Sequence, residues 1–229
     1  MKLKDKNIII TGASDGVGKS IALALSKEGA NLILFGRDQD KLKKVSLECG
    51  NSVSYYSFDI TEDDSRKKAL AEVLSKYKID ILINNAGIWH KAGDLETIEE
   101  SKIYEVINTN LTSQILITKQ LLPSMIDRET AIINVISKSG IVAQKGQSVY
   151  TASKYGMKGF TDVLREDTKD DPIKIGAVYQ SGVNTNMFSK AGEEFSTESF
   201  TEPKDIADVV VFMLSRPEKI WINEIQISR

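Results

Sequence analysis

At 229 residues the chain fits one large domain or two small ones and is long enough to bury a sizeable core. Its formal net charge is only -2 although charged residues make up 27%, and no run of like charge suggests a nucleic-acid arm or a membrane patch. A single cysteine, Cys49, excludes an intrachain disulfide, and a single histidine, His90, excludes any metal site that needs two and argues against a Ser-His-Asp triad, so no metal is expected.

The first predicted element is the strand "NIIIT" (7–11). It is too short to span a bilayer and lacks the cleavage pattern of a signal peptide, so a cytoplasmic protein is expected. A helix over 17–28 follows, then the strand "NLILF" (31–35), a helix over 38–48 and the strand "SVSYYSF" (52–58). Next come a helix over 62–77, the strand "DILIN" (80–84), one long helix over 98–126 and the strand "AIINVIS" (131–137). The chain closes with a helix over 148–169, the strand "IKIGAVY" (173–179), a polar loop over 189–202, a helix over 203–215 and the strand "EIQIS" (224–228). Pro203 suits the first turn of that last helix, with Thr201 or Glu202 before it as cap. Several strands are apolar on both faces, as parallel strands covered on two sides must be. Strand–helix alternation without a composition break predicts one doubly wound α/β domain over 1–229, with a parallel sheet of about seven strands and helices on both faces.

Between the first strand and first helix lies "TGASDGVG" (11–18), with Gly12, Gly16 and Gly18 spaced for a tight turn that lets backbone approach a pyrophosphate at a helix N-terminus. A Walker-type phosphate loop is excluded, because Lys19-Ser20 stands at the wrong distance from the first glycine. At the end of the second strand an acid would select NAD; here Gly36 stands in that place and Arg37 follows, which favours NADP over NAD. Asp38 reads as the cap of the next helix. Tyr150 and Lys154 fall one helical turn apart in "SVYTASKYGMKGF", a spacing that lets the ammonium lower the pKa of the phenol.

Five segments in order give this sequence its resemblance. They are "TGASDGVG", "NNAG" (84–87), "INTNLTS" (107–113), "INVISKSG" (133–140) and "YTASK" (150–154). Over nearly its whole length the chain resembles a short-chain dehydrogenase/reductase of the single-domain branch, which has a Rossmann-type fold. The resemblance implies a catalytic tetrad of Asn110, Ser137, Tyr150 and Lys154. In it Tyr150 gives a proton to the oxyanion left by hydride transfer, Ser137 holds the substrate oxygen, Lys154 also grips the nicotinamide ribose, and Asn110 positions a water beside the lysine. It further implies cofactor contacts from Gly12, Ser14, Asp15, Gly16, Val17 and Gly18, and from Asn85, Ala86 and Gly87. Asp59 with Ile60 would meet the adenine, and Val183 and Thr185 the nicotinamide carboxamide.

The chain departs from the family after its sixth strand, where Gln180 and Ser181 replace the usual Pro-Gly. Trp89 is expected at the pocket mouth and His90 as an exposed loop residue. The expected activity is an NADPH-dependent oxidoreductase acting on the carbonyl or alcohol of a small or medium molecule, such as a 3-oxoacyl compound, working as a homodimer or homotetramer. The alternative is a catalytically silent NADP sensor or scaffold of the same fold.

Overall fold

The computed structural model describes residues 1–50, 52–217 and 219–228. Seven parallel strands form one sheet in the order β3-β2-β1-β4-β5-β6-β7. They are β1 (Asn7–Thr11), β2 (Asn31–Gly36), β3 (Val53–Ser57), β4 (Ile81–Asn84), β5 (Ala131–Val135), β6 (Lys174–Gln180) and β7 (Glu224–Ile227). The helices are α1 (Gly16–Lys27), α2 (Gln39–Cys49), α3 (Asp63–Lys76), α4 (Glu100–Ile107), α5 (Ser113–Met125), α6 (Ser148–Asp167), the short α7 (Met187–Lys190) and α8 (Pro203–Leu214). Among the described residues no helix is long and apolar enough to cross a membrane.

Strand periodicity sorts the core into two layers. In β1, Ile8 and Ile10 pack with Ile21 and Leu25 of α1 and Ile206 and Val210 of α8, whereas Ile9 packs with Leu70 of α3 and Ile117 and Leu121 of α5. Successive side chains of a strand point to opposite faces, so a triple-isoleucine run serves both layers at once. All three are fully buried, each stabilising the fold by about 1.5–3 kcal/mol of transfer free energy.

Helix starts follow local chemistry. Asp38 accepts the Lys41 N–H at 2.9 Å and starts α2, as its sequence position suggests. Glu202, not Thr201, is the cap of α8: its N–H donates to Asp205, and Pro203 follows in the first turn. The helix expected over 98–126 is interrupted by a π-helical turn at Asn108–Thr112, which the unbroken apolar pattern does not reveal. The loop expected over 189–202 begins inside α7.

Because β4 follows β3 in sequence but lies beside β1, the chain changes direction across the sheet between β1 and β4. The loops leaving the C-terminal ends of these two strands diverge there, and a crevice opens at the switch point.

Candidate active site

That crevice is a cleft of about 1530 Å³, and every candidate residue except Asn110 lines it. At one end Gly12 takes a φ of 65°, and a Cβ there would stand 2.8 Å from the Ala86 Cα. Gly18 is held more tightly: a Cβ would meet the Gly12 carbonyl oxygen at 2.2 Å and the Asn85 amide nitrogen at 2.5 Å. Asn85 itself is occupied, donating to the carbonyls of Thr11 at 2.9 Å and Gly12 at 3.3 Å. Thr11 Oγ1 accepts the N–H groups of Asn85 at 2.9 Å and Ala86 at 3.0 Å, and donates to Gln114. The "NNAG" segment thus shapes the glycine loop through its side chains. Gly18→Ala is expected to weaken dinucleotide binding about tenfold or more while the sheet still forms; calorimetric titration together with a thermal melt checks this.

Beyond the loop, Asp15 caps α1 by accepting the Gly16 N–H at 2.8 Å. Its carboxylate also pairs with Lys190 of α7 at 2.9 Å and with Lys41 at 3.4 Å. Burial raises its pKa, but the lysines and the Gly16 N–H outweigh that and hold it below the ordinary value. At the end of β2 Arg37 is exposed and faces Asp59 at 3.6 Å. Asp59 also accepts the N–H and hydroxyl of Thr61 at 2.9 Å and 2.7 Å; burial works against these contacts, yet the carboxyl stays below its usual range.

At the other end the tetrad assembles from three elements. Ser137 follows β5 with φ at 146°, a region that residues with a side chain rarely occupy, and its Oγ accepts the Ser139 N–H at 3.1 Å. Tyr150 and Lys154 lie on the buried face of α6, with the lysine ammonium 5.6 Å from the centre of the phenol ring. The π-helical turn carries Asn110, whose amide grips both backbone groups of Ile88, accepting at 2.7 Å and donating at 3.0 Å, and also donates to Ser153 at 3.1 Å. A Cβ at Gly87 would fall 3.3 Å from Asn110 Oδ1 and 3.5 Å from Lys154 Nζ, which places these groups around one point. Below them Asn84 donates to Asn134 at 2.9 Å and Asn134 to Thr161 at 2.8 Å, a buried ladder that ties β4 and β5 to α6.

The electrostatics differ from the sequence expectation. Burial pushes the Tyr150 phenol up to about 12, against a hydrogen bond with Ser137, and brings the Lys154 ammonium down to about 8. Removing both groups from water outweighs any help the lysine gives the phenol, because desolvation disfavours the charged form of each.

One further expectation changes. His90 is not exposed: only 3% of its surface is accessible, and its ring sits under the N-terminus of α6. Trp89 lines the cleft as expected but is itself buried, edge-on to Tyr150 at 4.5 Å and to Phe188 at 5.2 Å. Glu193 accepts the Trp89 indole N–H at 2.9 Å and the Ala92 N–H at 2.8 Å, fixing the segment after α7 over the site. Gln180 Oε1 and Ser181 Oγ, in place of Pro-Gly, are buried in the cleft wall with no hydrogen-bond partner. Cys49 is half-buried at the end of α2, away from the cleft, and burial pushes its thiol up, as suits an unreactive side chain.

A family model for short chain dehydrogenases matches residues 6–195. The chain belongs to the short-chain dehydrogenase/reductase family. Among its relatives in this oxidoreductase family, a 3-oxoacyl-(acyl-carrier-protein) reductase of Thermotoga maritima is 33% identical, over 94% of this chain and 92% of that one. Among solved structures, a 3-ketoacyl-(acyl-carrier-protein) reductase from Brucella melitensis complexed with NADH matches with a TM-score of 0.88 at 26% identity, covering 98% of this chain and 97% of the other. An alcohol dehydrogenase from the archaeon Thermococcus sibiricus, complexed with 5-hydroxy-NADP, shares the fold with a TM-score of 0.89 at 24% identity, covering 98% and 96% of the two chains. In this short-chain dehydrogenase/reductase the segment from the glycine loop through α7 falls inside the family match, and beyond it come α8 and the last strand of the sheet, β7.

Proposed function

We propose that this protein is an NADPH-dependent reductase of a ketone on a small or medium molecule, a 3-oxoacyl group being the first class to try. The observation that carries the reading is the burial of the Tyr150 phenol and Lys154 ammonium side by side, with Ser137 in reach of the phenol, at one end of a dinucleotide-sized cleft. The reductases among its relatives support the ketone.

The residues fit the cofactor. Gly12 and Gly18 let the loop close on Ala86, on Asn85 and on its own backbone where a Cβ would clash, which keeps a tight glycine turn at the N-terminus of α1, where a pyrophosphate would bind. Arg37 is exposed at the rim and is assigned to a 2′-phosphate, and Asp59, 3.6 Å from it, is assigned with Ile60 in the same cleft to the adenine. Val183, Thr185 and the orphaned polar atoms of Gln180 and Ser181 suit an amide-bearing ring. When bound, NADPH supplies the hydride.

The chain's own residues supply the rest. Ser137 donates a hydrogen bond to the ketone oxygen and holds it beside Tyr150. With its pKa near 12 the phenol is fully protonated at neutral pH, and it remains a stronger acid than the alcohol it creates, so its proton passes to the oxyanion. Lys154 places a positive charge near the phenolate that remains. Asn110 holds the Ile88 backbone and α6 at fixed separation, which keeps the lysine and the cleft wall in register. The enzyme works in the cytoplasm as a homodimer or homotetramer; Tyr104 on α4 and Tyr155 and Val163 on α6 are exposed on the helices expected to meet a second copy.

The cofactor assignment is tested by titrating NADPH and NADH into wild type and Arg37→Ala. Wild type is expected to prefer NADPH, and the variant to lose about tenfold or more in NADPH affinity with NADH affinity unchanged. Equal affinities in wild type would make Arg37 a surface charge.

A further inference from the structure

Helix α6 carries both Tyr150 and Lys154, yet its N-terminus lacks an ordinary cap. The residue at the cap position, Gln147, makes no side-chain bond to the helix, and no acidic residue stands in the first turn. Its side chain instead accepts the Ser139 hydroxyl at 3.0 Å. The first intrahelical bond runs from Thr151 N–H to the Gln147 carbonyl at 2.7 Å, so the N–H of Tyr150 has no acceptor within the helix. A partner comes from outside. His90 Nε2, in the loop after β4, lies 3.3 Å from the Tyr150 nitrogen. On the other side of the ring Nδ1 is 2.9 Å from the Lys91 carbonyl oxygen. A carbonyl can only accept, so Nδ1 carries the proton and Nε2 is left as acceptor for Tyr150.

The loop that holds His90 is itself fixed on both sides. Asn110 grips Ile88 through two hydrogen bonds, and Glu193 grips Trp89 and Ala92. Trp89 stacks on His90 at 5.9 Å with an interplanar angle of 10°, and meets the Tyr150 ring at 4.5 Å. Two adjacent residues therefore hold one tyrosine, the histidine by its backbone and the tryptophan by its ring.

We propose that His90 is a positioning residue for Tyr150: it caps α6 at the tyrosine's own N–H and so sets where the phenol stands over the cleft. This inference rests on the reductase reading for its effect on rate, but the cap itself does not. Removing the acceptor frees the first turn of α6 to shift, and a displacement of about 1 Å in a proton donor can cost about a hundredfold in rate.

The experiment compares wild type, His90→Leu and His90→Gln; glutamine offers an oxygen near the place of Nε2 and leucine offers none. Steady-state kinetics with NADPH and a ketone are measured with amide exchange of Tyr150 in tyrosine-labelled protein. His90→Leu is expected to lower kcat by roughly ten- to a hundredfold with KM and NADPH affinity within about twofold, and to speed Tyr150 amide exchange about tenfold or more. His90→Gln is expected to restore most of both. If leucine prevents folding, His90→Phe repeats the comparison with a ring that has no acceptor. Unchanged kcat in the folded leucine or phenylalanine variant overturns the proposal, whatever the exchange shows. Equal losses in the glutamine and leucine variants with slow exchange in both also overturn it, since capping would then be irrelevant to the rate. A wild type that turns over no ketone contradicts the reductase reading instead, and the Tyr150 amide alone then decides whether His90 is the cap.

Discussion

Tyr150→Phe is expected to lower kcat by about a thousandfold while leaving NADPH affinity and the fold intact. The substitution removes one oxygen and keeps the ring that packs edge-on against Trp89 at 4.5 Å. General acids placed on a reacting oxygen contribute roughly 10²–10⁴ in rate, and His90 does not stand in, because its ring nitrogens are engaged with the Lys91 carbonyl and the Tyr150 backbone N–H. The structural effect runs the other way from the catalytic one. Since the fold raises the phenol's pKa from 10.0 to about 12, folded protein binds more protons than unfolded protein between those values, and stability contributed by Tyr150 is lost as pH rises through that window. The phenylalanine variant lacks this alkaline loss. Stopped-flow turnover and thermal melts across alkaline pH check both parts.

Lys154→Met is expected to abolish turnover and at the same time stabilise the cofactor-free protein at neutral pH. Burial is the only cause that lowers the Lys154 pKa from 10.5 to about 8, and this is the signature of an ammonium held out of water without a compensating carboxylate. A shift of that size corresponds to a cost on the order of 3 kcal/mol for keeping the lysine charged inside the fold. The sign fixes the pH dependence. Below pH 8 folded and unfolded chains both carry the proton, and the cost is present in full. Between pH 8 and 10.5 the unfolded chain binds more protons, so wild-type stability recovers with rising pH and the advantage of methionine shrinks. Denaturant melts of both proteins at pH 7 and pH 10 measure this, and an advantage that grows with pH contradicts it. An active site that destabilises its own fold in this way is expected where charge is buried for chemistry.

Features set by short-range spacing are legible in the sequence. A run such as Ile8-Ile9-Ile10 declares a strand buried on both faces, the glycines of "TGASDGVG" declare a turn that backbone alone can fill, and Tyr150 and Lys154 share a helix face by their separation. What the sequence hides depends on partners distant in sequence. His90 reads as an exposed loop histidine because nothing near it shows that its acceptor nitrogen will meet a helix N-terminus sixty residues away. The helix over 98–126 reads as continuous because its apolar pattern passes through the π-helical turn unbroken; only the contacts of Asn110 with Ile88 and Ser153 show what the turn is for. The weak acidity of Tyr150 is hidden for a third reason: a neighbouring lysine is visible in sequence, but the dehydration of both groups exists only once the helix is packed. Glu193 and Lys190, which fasten the segment after α7 to Trp89 and Asp15, read as ordinary surface charges until the fold brings them together.

Tyr150, Ser137 and Lys154 are proposed to perform proton transfer during hydride delivery to a ketone. The measurement that tests it most directly is the yield of alcohol per NADPH consumed, with purified wild-type protein and a panel that includes 3-oxoacyl thioesters and simple ketones. At least one substrate is expected to give one alcohol for each NADPH oxidised, and Tyr150→Phe is expected to remove this turnover without loosening NADPH. Tight NADPH binding with no alcohol formed from any substrate would contradict it, and would mark the protein as a silent sensor built on an enzyme fold.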